Sequence, residues 1–226
     1  MKKVNLDVLK EKDYYSNEAY HTLRTNIEFC GKDIKVIAFT SCTPDEGKST
    51  VSLNLATSLA EAGKKVLFID ADLRRSVIDR KYQVGKVDKG LTHYLSGQAS
   101  ETEIIYSTTI SHLSMIFAGP YTPDPTALLR DELFSITIQK LREEYDYIVL
   151  DTPPVGSVID AAIVATVCDG IVLVIETNQI SVKMARKIVE QLNKTNCRIL
   201  GTVLNKVNMK DQEYYGTYYD SRYELD

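Results

Sequence analysis

One segment in the first quarter of the chain combines the residue types that hold phosphate groups. Residues 40–50 read TSCTPDEGKST, and Gly47-Lys48-Ser49 form the core of a P-loop pattern. In such a loop, backbone N–H groups and the start of a helix surround phosphates, the lysine neutralises them, and the hydroxyl binds magnesium. The usual glycine five positions before Gly47 is replaced by Cys42. The residues predicted to surround the phosphates are Thr43, Pro44, Asp45, Glu46, Gly47, Lys48, Ser49 and Thr50.

Three carboxylates come just after predicted strands. Asp70 and Asp72 follow residues 65–69 (KVLFI), and Asp151 follows residues 147–150 (YIVL). The carboxyl ends of parallel strands meet at one edge of a sheet, so these side chains should converge on the P-loop. One carboxylate in such a place can hold the waters around a magnesium ion, and another can accept a proton. The predicted metal site consists of Ser49, Asp70 and Asp151.

The pattern of apolar runs predicts the elements that position these groups. Short β-branched runs alternate with helical stretches, which is typical of a doubly wound α/β fold and here predicts a P-loop NTPase. The runs are unbroken rather than alternating, and this favours a mainly parallel sheet of buried strands flanked by helices. The predicted strands are residues 35–40, 65–69, 147–150, 170–175 and 197–204. The predicted helices are residues 17–30, 48–62, 131–144, 158–168 and 181–196, with Gly63 as a C-terminal cap of the second.

Two segments fall outside this predicted core. Residues 1–15 carry little periodic pattern, and residues 207–226 are polar and rich in tyrosine. We therefore expect one P-loop domain over residues 1–206 and a flexible tail over residues 207–226.

Composition and charge exclude several classes of protein. The 226 residues carry a net charge of −4, so no basic field covers the chain and we expect no nucleic-acid partner. The four cysteines are widely spaced and form neither a zinc motif nor a disulfide framework. The longest unbroken apolar run, residues 171–175, is far shorter than the roughly 18 residues that span a bilayer. We expect a cytoplasmic protein whose membrane contacts come through a partner.

Asn205 ends the last predicted strand and allows two interpretations. Its side-chain amide is in a position to meet the edge of an adenine base. An asparagine at the end of a strand is also common in ordinary turns. Both interpretations stay open at this point.

Three motifs together resemble a known family of enzymes. The P-loop, the D-x-D-x-R sequence at Asp70, Asp72 and Arg74, and the DTPP sequence at Asp151 are similar to those of bacterial tyrosine kinases (BY-kinases). These kinases belong to capsule and exopolysaccharide operons, include the CpsD and CapB types, and are related to the ATPases MinD and ParA. The resemblance covers nearly the whole chain. Thr43 stands where loops of the MinD and ParA type carry a signature lysine, which favours the kinases.

The resemblance implies a protein-tyrosine kinase that uses ATP and Mg²⁺. Lys48 would hold the phosphates, and Asp72 would accept the proton of the tyrosine hydroxyl, with Asp70 as the alternative base. Arg74 would either stabilise charge in the transition state or pair with an aspartate. The alternative function is that of a switch ATPase of the MinD or ParA type, in which Asp72 would orient water.

The resemblance also implies partners and a place in the cell. Family members work with a membrane activator of the chain-length-determinant type, which would recruit this chain to the inner face of the membrane. They assemble with copies of themselves into rings, and a cognate phosphotyrosine phosphatase is expected to reverse the reaction. Cycling between assembled and dispersed forms would regulate capsule or exopolysaccharide production.

The last 13 residues contain five of the chain's 14 tyrosines. One interpretation is an aromatic tail that packs on a neighbouring molecule. Against it, acidic residues and a glycine interrupt the segment and leave no apolar periodicity to bury. The other interpretation, which the resemblance favours, is a cluster that the kinase phosphorylates in trans. Its members are Tyr214, Tyr215, Tyr218, Tyr219 and Tyr223.

Asp45 stands at a loop position where the family commonly has glycine. A carboxylate about 4 Å from a phosphate charge would cost roughly 4 kcal/mol at an effective dielectric constant near 20. We therefore expect Asp45 to point outward, and the loop to avoid a backbone geometry that only glycine adopts.

The helix at residues 16–30 carries a polar stripe. Glu18, His21 and Arg24 match the family's oligomerisation motif E-x-x-R-x-x-R, except that histidine replaces the first arginine. The stripe is either an assembly surface or an ordinary solvated face of the helix.

If the stripe is the assembly surface, assembly should depend on pH. Histidine is mostly neutral at pH 7 and lacks the planar fork of arginine donors. The ring should then be weaker than is usual for the family and should strengthen below about pH 6.5. Sedimentation velocity on either side of that pH measures this, and an assembly state that is indifferent to pH would contradict it.

Overall fold

A computed structural model describes residues 2–6 and 14–208. Within them, eight strands form one sheet in the order β1-β4-β5-β3-β6-β2-β7-β8, and every neighbouring pair is parallel except β4 and β5. The predicted mainly parallel sheet is confirmed. The tyrosines of the tail lie outside the described residues. The strands are β1 Lys2–Val4, β2 Val36–Ser41, β3 Val66–Asp70, β4 Ile105–Thr108, β5 Leu113–Ile116, β6 Tyr147–Asp151, β7 Gly170–Glu176 and β8 Arg198–Asn205.

Helices cover both faces of this sheet. Several begin at a side chain that caps them: Asp131 accepts a hydrogen bond from the Leu133 N–H, and Ser181 accepts one from the Met184 N–H. Gly63, at φ 81°, follows the second helix as the predicted C-terminal cap. The helices are α1 Tyr14–Phe29, α2 Lys48–Glu61, α3 Ile78–Lys81, α4 Leu91–Leu95, α5 Glu101–Ile104, α6 Pro125–Arg130, α7 Glu132–Glu144, α8 Asp160–Ala165 and α9 Val182–Asn193. No helix in the described ranges is long and apolar enough to cross a bilayer.

Two apolar layers sandwich the sheet, and β2 shows how they arise. Val36 and Ala38 pack with α7, α8 and α9, whereas Ile37 and Phe39 pack with α1 and α2. Side chains alternate between the two faces of a strand, so a strand that is buried on both faces must be apolar throughout. This arrangement confirms the doubly wound α/β fold.

Four features of the fold differ from the sequence prediction. The last strand, β8, was expected to be buried, but it lies at the edge of the sheet and most of its residues are exposed or half-buried. Helix α8 is shorter than the predicted helix 158–168. The short strand β1, with the buried Val4 and Leu6 at and beyond its end, joins the core although residues 1–15 were expected to lie outside it. The antiparallel pair β4 and β5 was not predicted, because both strands have four residues and mixed polarity.

Two glycines allow the start of α4 to pack against the end of β5. A Cβ atom on Gly90 would lie 2.5 Å from the Gly119 nitrogen and 2.6 Å from the Phe117 oxygen, both of them backbone atoms. The Leu91 N–H donates to the same Phe117 oxygen at 2.7 Å. This contact places α4 beside the carboxyl ends of β3 and β5.

Replacement of Gly90 by alanine should destabilise the fold. The new methyl group must push backbone atoms apart, and we expect Gly90→Ala to lower the free energy of unfolding by about 1–3 kcal/mol. The matched control is Gly201→Ala, which adds the same methyl group on β8, where no atom lies within 4 Å. Urea unfolding followed by circular dichroism compares them, and equal midpoints would contradict the predicted close contact.

Candidate active site

Three adjacent strands bring the predicted carboxylates and the P-loop together. In the sheet, β6 lies between β3 and β2, and the register pairs Asp70 with Asp151 at the carboxyl end. Strand β2 ends at Ser41 and leads directly into the P-loop. The convergence expected from the strand ends is therefore present.

The P-loop is shaped by Gly47 and Glu46. Gly47 has φ 86° and is the N-cap residue directly before α2, and a Cβ atom on it would lie 2.1 Å from the Asn205 Nδ2 atom. The Glu46 side chain is fully buried and accepts hydrogen bonds from the Thr43 N–H at 2.8 Å and the Glu176 N–H at 3.4 Å. The Glu46 carboxylate thus braces the loop from inside, while its neighbours on the N-terminal side are exposed.

Asp45 has a left-handed backbone. Its φ of 66° lies in a region that glycine prefers, but not in one that only glycine adopts, which was the geometry that the loop was expected to avoid. Aspartate is among the few other residues that adopt this region, because its short polar side chain bonds locally. The residue is exposed, which agrees with an outward side chain.

Lys48 joins the loop to the carboxylates. Its Nζ atom lies 3.4 Å from Asp72 Oδ2, 3.5 Å from Asp151 Oδ2 and 3.2 Å from Ser49 Oγ. Burial alone would lower the pKa of the Lys48 ammonium, but the charges of Asp151, Asp72 and Asp70 outweigh it and raise the pKa. The lysine therefore stays charged and partly balances the acidic cluster.

Asp70 and Asp151 are buried without full compensation. Burial, reinforced by the charge of Asp151, raises the pKa of Asp70 to about 8, although the Ser76 hydroxyl donates a hydrogen bond to it. Burial also raises the pKa of Asp151, with Lys48 acting in the opposite direction. Such a group of carboxylates favours the arrival of a further cation.

The predicted phosphate and metal ligands fit a bound nucleotide with magnesium. Within the part of the chain that the structure describes, no three His, Cys, Asp or Glu side chains form a ready cluster of metal ligands. Magnesium usually keeps several waters and binds one or two carboxylates together with substrate phosphates, so it needs no such cluster. The buried Thr43 Oγ1 atom has no hydrogen-bond partner among the described residues, and a phosphate oxygen would provide one.

Of the three carboxylates, Asp72 is the one that lines the adjacent cavity. Its Oδ1 atom accepts hydrogen bonds from the backbone N–H groups of Arg74 at 3.3 Å and Arg75 at 2.9 Å, and its Oδ2 atom faces Lys48. The residue lines an open cavity of about 400 Å³. Asp72 is therefore held in orientation and, although it is only 5% exposed, it borders this cavity.

Arg74 pairs with an aspartate, which is one of the two roles predicted for it. Its Nε and Nη2 atoms donate to the two oxygens of Asp160 at 2.5 Å and 3.1 Å, and Asp160 is 1% exposed. Thr126 donates to the same carboxylate at 2.8 Å. This network ties the segment after β3 to α6 and α8.

Asn205 lies on the P-loop. Its Nδ2 atom donates to the Glu46 carbonyl oxygen at 2.9 Å. The next residue, Lys206, donates to the Asp45 carbonyl oxygen at 2.8 Å and pairs with Glu176 at 2.8 Å. The end of β8 thus supports the nucleotide loop, and the adenine contact of Asn205 stays a prediction.

The polar stripe on α1 is divided in the structure. His21 Nδ1 lies 3.5 Å from Glu18 Oε1, and both side chains are about half exposed. Arg24 instead donates to the carbonyl oxygen of Ser58 at 3.0 Å and to its hydroxyl at 3.3 Å, so it anchors α1 on α2. The role of the stripe in assembly stays a prediction.

Sequence reasoning missed several residues around the site. Lys81 donates to the Thr50 hydroxyl, and burial lowers the pKa of its ammonium. Ser52 donates to Asp151 at 3.4 Å, and Ser76 donates to Asp70. Nothing in the local sequence of these residues marks them. Asp160 carried one signal, an acidic residue at the start of a predicted helix after DTPP.

Comparison with known proteins assigns the chain to a family. A family model described as an AAA domain matches residues 34–205, which contain the P-loop and all three carboxylates. Tyrosine-protein kinase CpsD of Streptococcus agalactiae is 44% identical over 205 residues, which cover 90% of each protein. The chain belongs to the bacterial tyrosine kinases of capsule operons. As a BY-kinase it is a P-loop enzyme that binds nucleotide.

Solved structures agree with this assignment. The kinase domain of the Escherichia coli tyrosine kinase ETK has a TM-score of 0.82 and 31% identity, over 88% of this BY-kinase and 78% of that chain. The septum-site-determining protein MinD of Pyrococcus horikoshii, solved in complex with Mg-ADP, has a TM-score of 0.65 and 26% identity, over 76% of this chain and 70% of that one. The BY-kinase thus shares the fold of both proteins and matches the kinase over more of its length.

A double-mutant cycle on Arg74 and Asp160 should measure the network that holds the segment after β3. Each single change, Arg74→Gln or Asp160→Asn, removes a charge-assisted pair and should lower the free energy of unfolding by about 1–3 kcal/mol. The double variant should lose less than the sum, by about 1 kcal/mol or more, as measured by urea unfolding.

The exposed ion pair of Lys140 with Glu101 provides the control, since Lys140→Gln should cost less than about 1 kcal/mol. Additive losses would contradict a direct pair. An active Asp160→Asn kinase beside an inactive Arg74→Gln kinase of equal stability would favour the transition-state role of Arg74.

Proposed function

We propose that the chain is an ATP- and Mg²⁺-dependent tyrosine autokinase that phosphorylates its C-terminal tyrosine cluster in trans. The observation that carries this proposal is the position of Asp72, 3.4 Å from the P-loop lysine on one side and open to a cavity on the other. A phosphate held by Lys48 and a phenol that enters from the cavity would meet at this carboxylate.

The P-loop residues would bind the triphosphate of ATP. Their backbone N–H groups and the start of α2 would surround the phosphates, and Lys48 would pair with the nucleotide instead of the carboxylates. Ser49, Asp70 and Asp151 would hold Mg²⁺, which neutralises charge on the transferred phosphate when bound. Asn205, which holds the loop through the Glu46 carbonyl oxygen, would also contact the base.

Asp72 would act as the general base. The phenol of tyrosine has a pKa near 10 and is protonated at neutral pH, so its proton must be accepted as the new bond to phosphorus forms. Asp70, the alternative base, is fully buried and receives hydrogen bonds from Ser76 and from the Asp72 backbone. Accessibility therefore supports Asp72.

We further propose the assembly cycle that is implied for kinases of this type. Copies of the chain would form a ring through Glu18, His21 and Arg24, on a membrane activator of the chain-length-determinant type. Each phosphotyrosine adds about −1.5 to −2 charge, so five would take the net charge from −4 to roughly −12 to −14. Repulsion between the phosphorylated tails would disperse the ring, and a phosphatase would restore it. This cycle, at the inner face of the membrane, would regulate capsule production.

A switch ATPase without kinase activity is the second candidate. The similarity to MinD, solved with Mg-ADP, supports it. Thr43 in place of the signature lysine and the tyrosine cluster of the tail support the kinase instead.

Incubation of the purified chain with ATP and magnesium tests the kinase function. We expect several phosphates per chain, mapped to residues 214–223, because this segment holds the tyrosine cluster. Intact mass and phosphopeptide mapping measure them, with Lys48→Met as the inactive control. A synthetic cytoplasmic segment of a membrane activator belongs in a parallel arm. Release of phosphate from ATP without a gain in protein mass, in both arms, would contradict the kinase and favour the switch ATPase.

A further inference from the structure

The cavity beside Asp72 carries an excess of positive charge that the phosphate chemistry does not use. It lies between the segment after β3 and the segment after β5, both at the carboxyl ends of their strands. Arg75, Arg80 and Lys89 line it, and the two arginines are exposed. Neither guanidinium has a hydrogen bond or ion pair to the rest of the described chain.

Other charges of the cavity are balanced locally. Arg74 is paired with Asp160, and Asp72 with Lys48. The remaining carboxylate is Asp79, whose Oδ1 atom already accepts the Arg80 backbone N–H at 2.8 Å. The lining therefore keeps a surplus of about two positive charges next to the candidate base, and a ligand with carboxylate groups would complement it.

An aromatic ring stands at the same cavity. Tyr121 is 79% exposed and lines the cavity together with His93. An exposed ring offers a flat apolar surface to another aromatic side chain. The cavity thus combines the two contacts that a peptide with adjacent tyrosine and acidic residues would need.

The tail of this chain has that composition. Residues 209–226 contain five acidic and two basic side chains. Every tyrosine of the cluster has an acidic residue within two positions: Glu213 beside Tyr214 and Tyr215, Asp220 beside Tyr218 and Tyr219, and Glu224 beside Tyr223. The Arg75 backbone N–H donates to Asp72 at 2.9 Å, so the Arg75 side chain starts from a position beside the carboxylate that a phenol would approach.

We propose that this basic cavity is the subsite that selects the tail, in which Arg75 and Arg80 bind the acidic residue next to the acceptor tyrosine of a second copy of the chain. The inference rests on the proposed tyrosine kinase function and deepens it, because it names what the site recognises besides the phenol. The occupant is an unmodified acidic side chain rather than a phosphotyrosine.

A transfer assay between full-length chains tests the subsite. The donor kinase carries phenylalanine at the five tail tyrosines, so it cannot phosphorylate its own tail. Both acceptors carry Lys48→Met, so neither can transfer phosphate. The native acceptor has an unchanged tail, and the neutral acceptor has Glu213→Gln, Asp220→Asn and Glu224→Gln. We expect Arg75→Gln with Arg80→Gln in the donor to raise the KM for the native acceptor about tenfold, because two charge pairs are lost. The KM for the neutral acceptor should already be high and should change less than about twofold.

Arg186→Gln with Lys187→Gln is the matched control. It removes the same charge from the exposed face of α9, far from the cavity, and should leave both KM values unchanged. An unchanged KM in the Arg75 and Arg80 variant, or an equal rise for both acceptors, would overturn the proposal.

A binding measurement separates the subsite from the kinase function. The probe is a fluorescein-labelled peptide of residues 209–226 with phenylalanine at the tyrosines, titrated with nucleotide-free full chain and followed by anisotropy.

About tenfold weaker binding to the arginine variant, in a chain that transfers no phosphate, would support the subsite while the kinase proposal fails. Phosphate transfer that is insensitive to the arginines would overturn the subsite alone. Binding of a Tyr218-phosphorylated peptide at least tenfold more tightly than the acidic peptide would overturn the choice of occupant.

Discussion

Three buried carboxylates share a single ammonium group at the end of the sheet, and the architecture of the site follows from this imbalance. Adjacent strands deliver Asp70 and Asp151 side by side, and Lys48 reaches across to compensate them only in part. Buried charge is costly unless it is paired, which explains why Asp70 retains its proton with a pKa of about 8. The free protein therefore has negative charge at this site that Lys48 does not fully balance. A magnesium ion bound with a nucleotide would balance it.

The acidic residues around the site divide into two groups by their partners. Glu46 and Asp160 are as deeply buried as the catalytic candidates, but each is satisfied by hydrogen-bond donors and holds a loop in shape. Asp72 differs because one of its oxygens is oriented by backbone N–H groups while the residue also meets open space. Burial alone therefore does not mark a reacting group, and the combination of a fixed orientation with access from solvent does.

The sequence predicted those parts of the site whose positions follow from the P-loop pattern and from the order of strands and helices. The P-loop and the carboxylates at the ends of β3 and β6 follow from the geometry of parallel strands, so their convergence could be expected before any coordinates. The burial of β8 was mispredicted, since an apolar run does not reveal whether a strand has a neighbour on both sides. The partners of Arg24, Arg74 and Asn205 could not be predicted, because each is separated from its partner by more than 30 residues. The residues around Asp45 in the sequence also do not predict its left-handed backbone conformation.

Strand β8 ends on the outer wall of the nucleotide loop, through Asn205 and Lys206. It is the last strand of the sheet in the described chain, so it is held on one side only. The C-terminal segment continues directly from this strand. A pull on that segment is borne first by the two hydrogen bonds that Lys206 and Asn205 make with the loop, and then by β8, which has one supporting neighbour. Tension applied to the C-terminal segment is therefore transmitted to the P-loop through these hydrogen bonds.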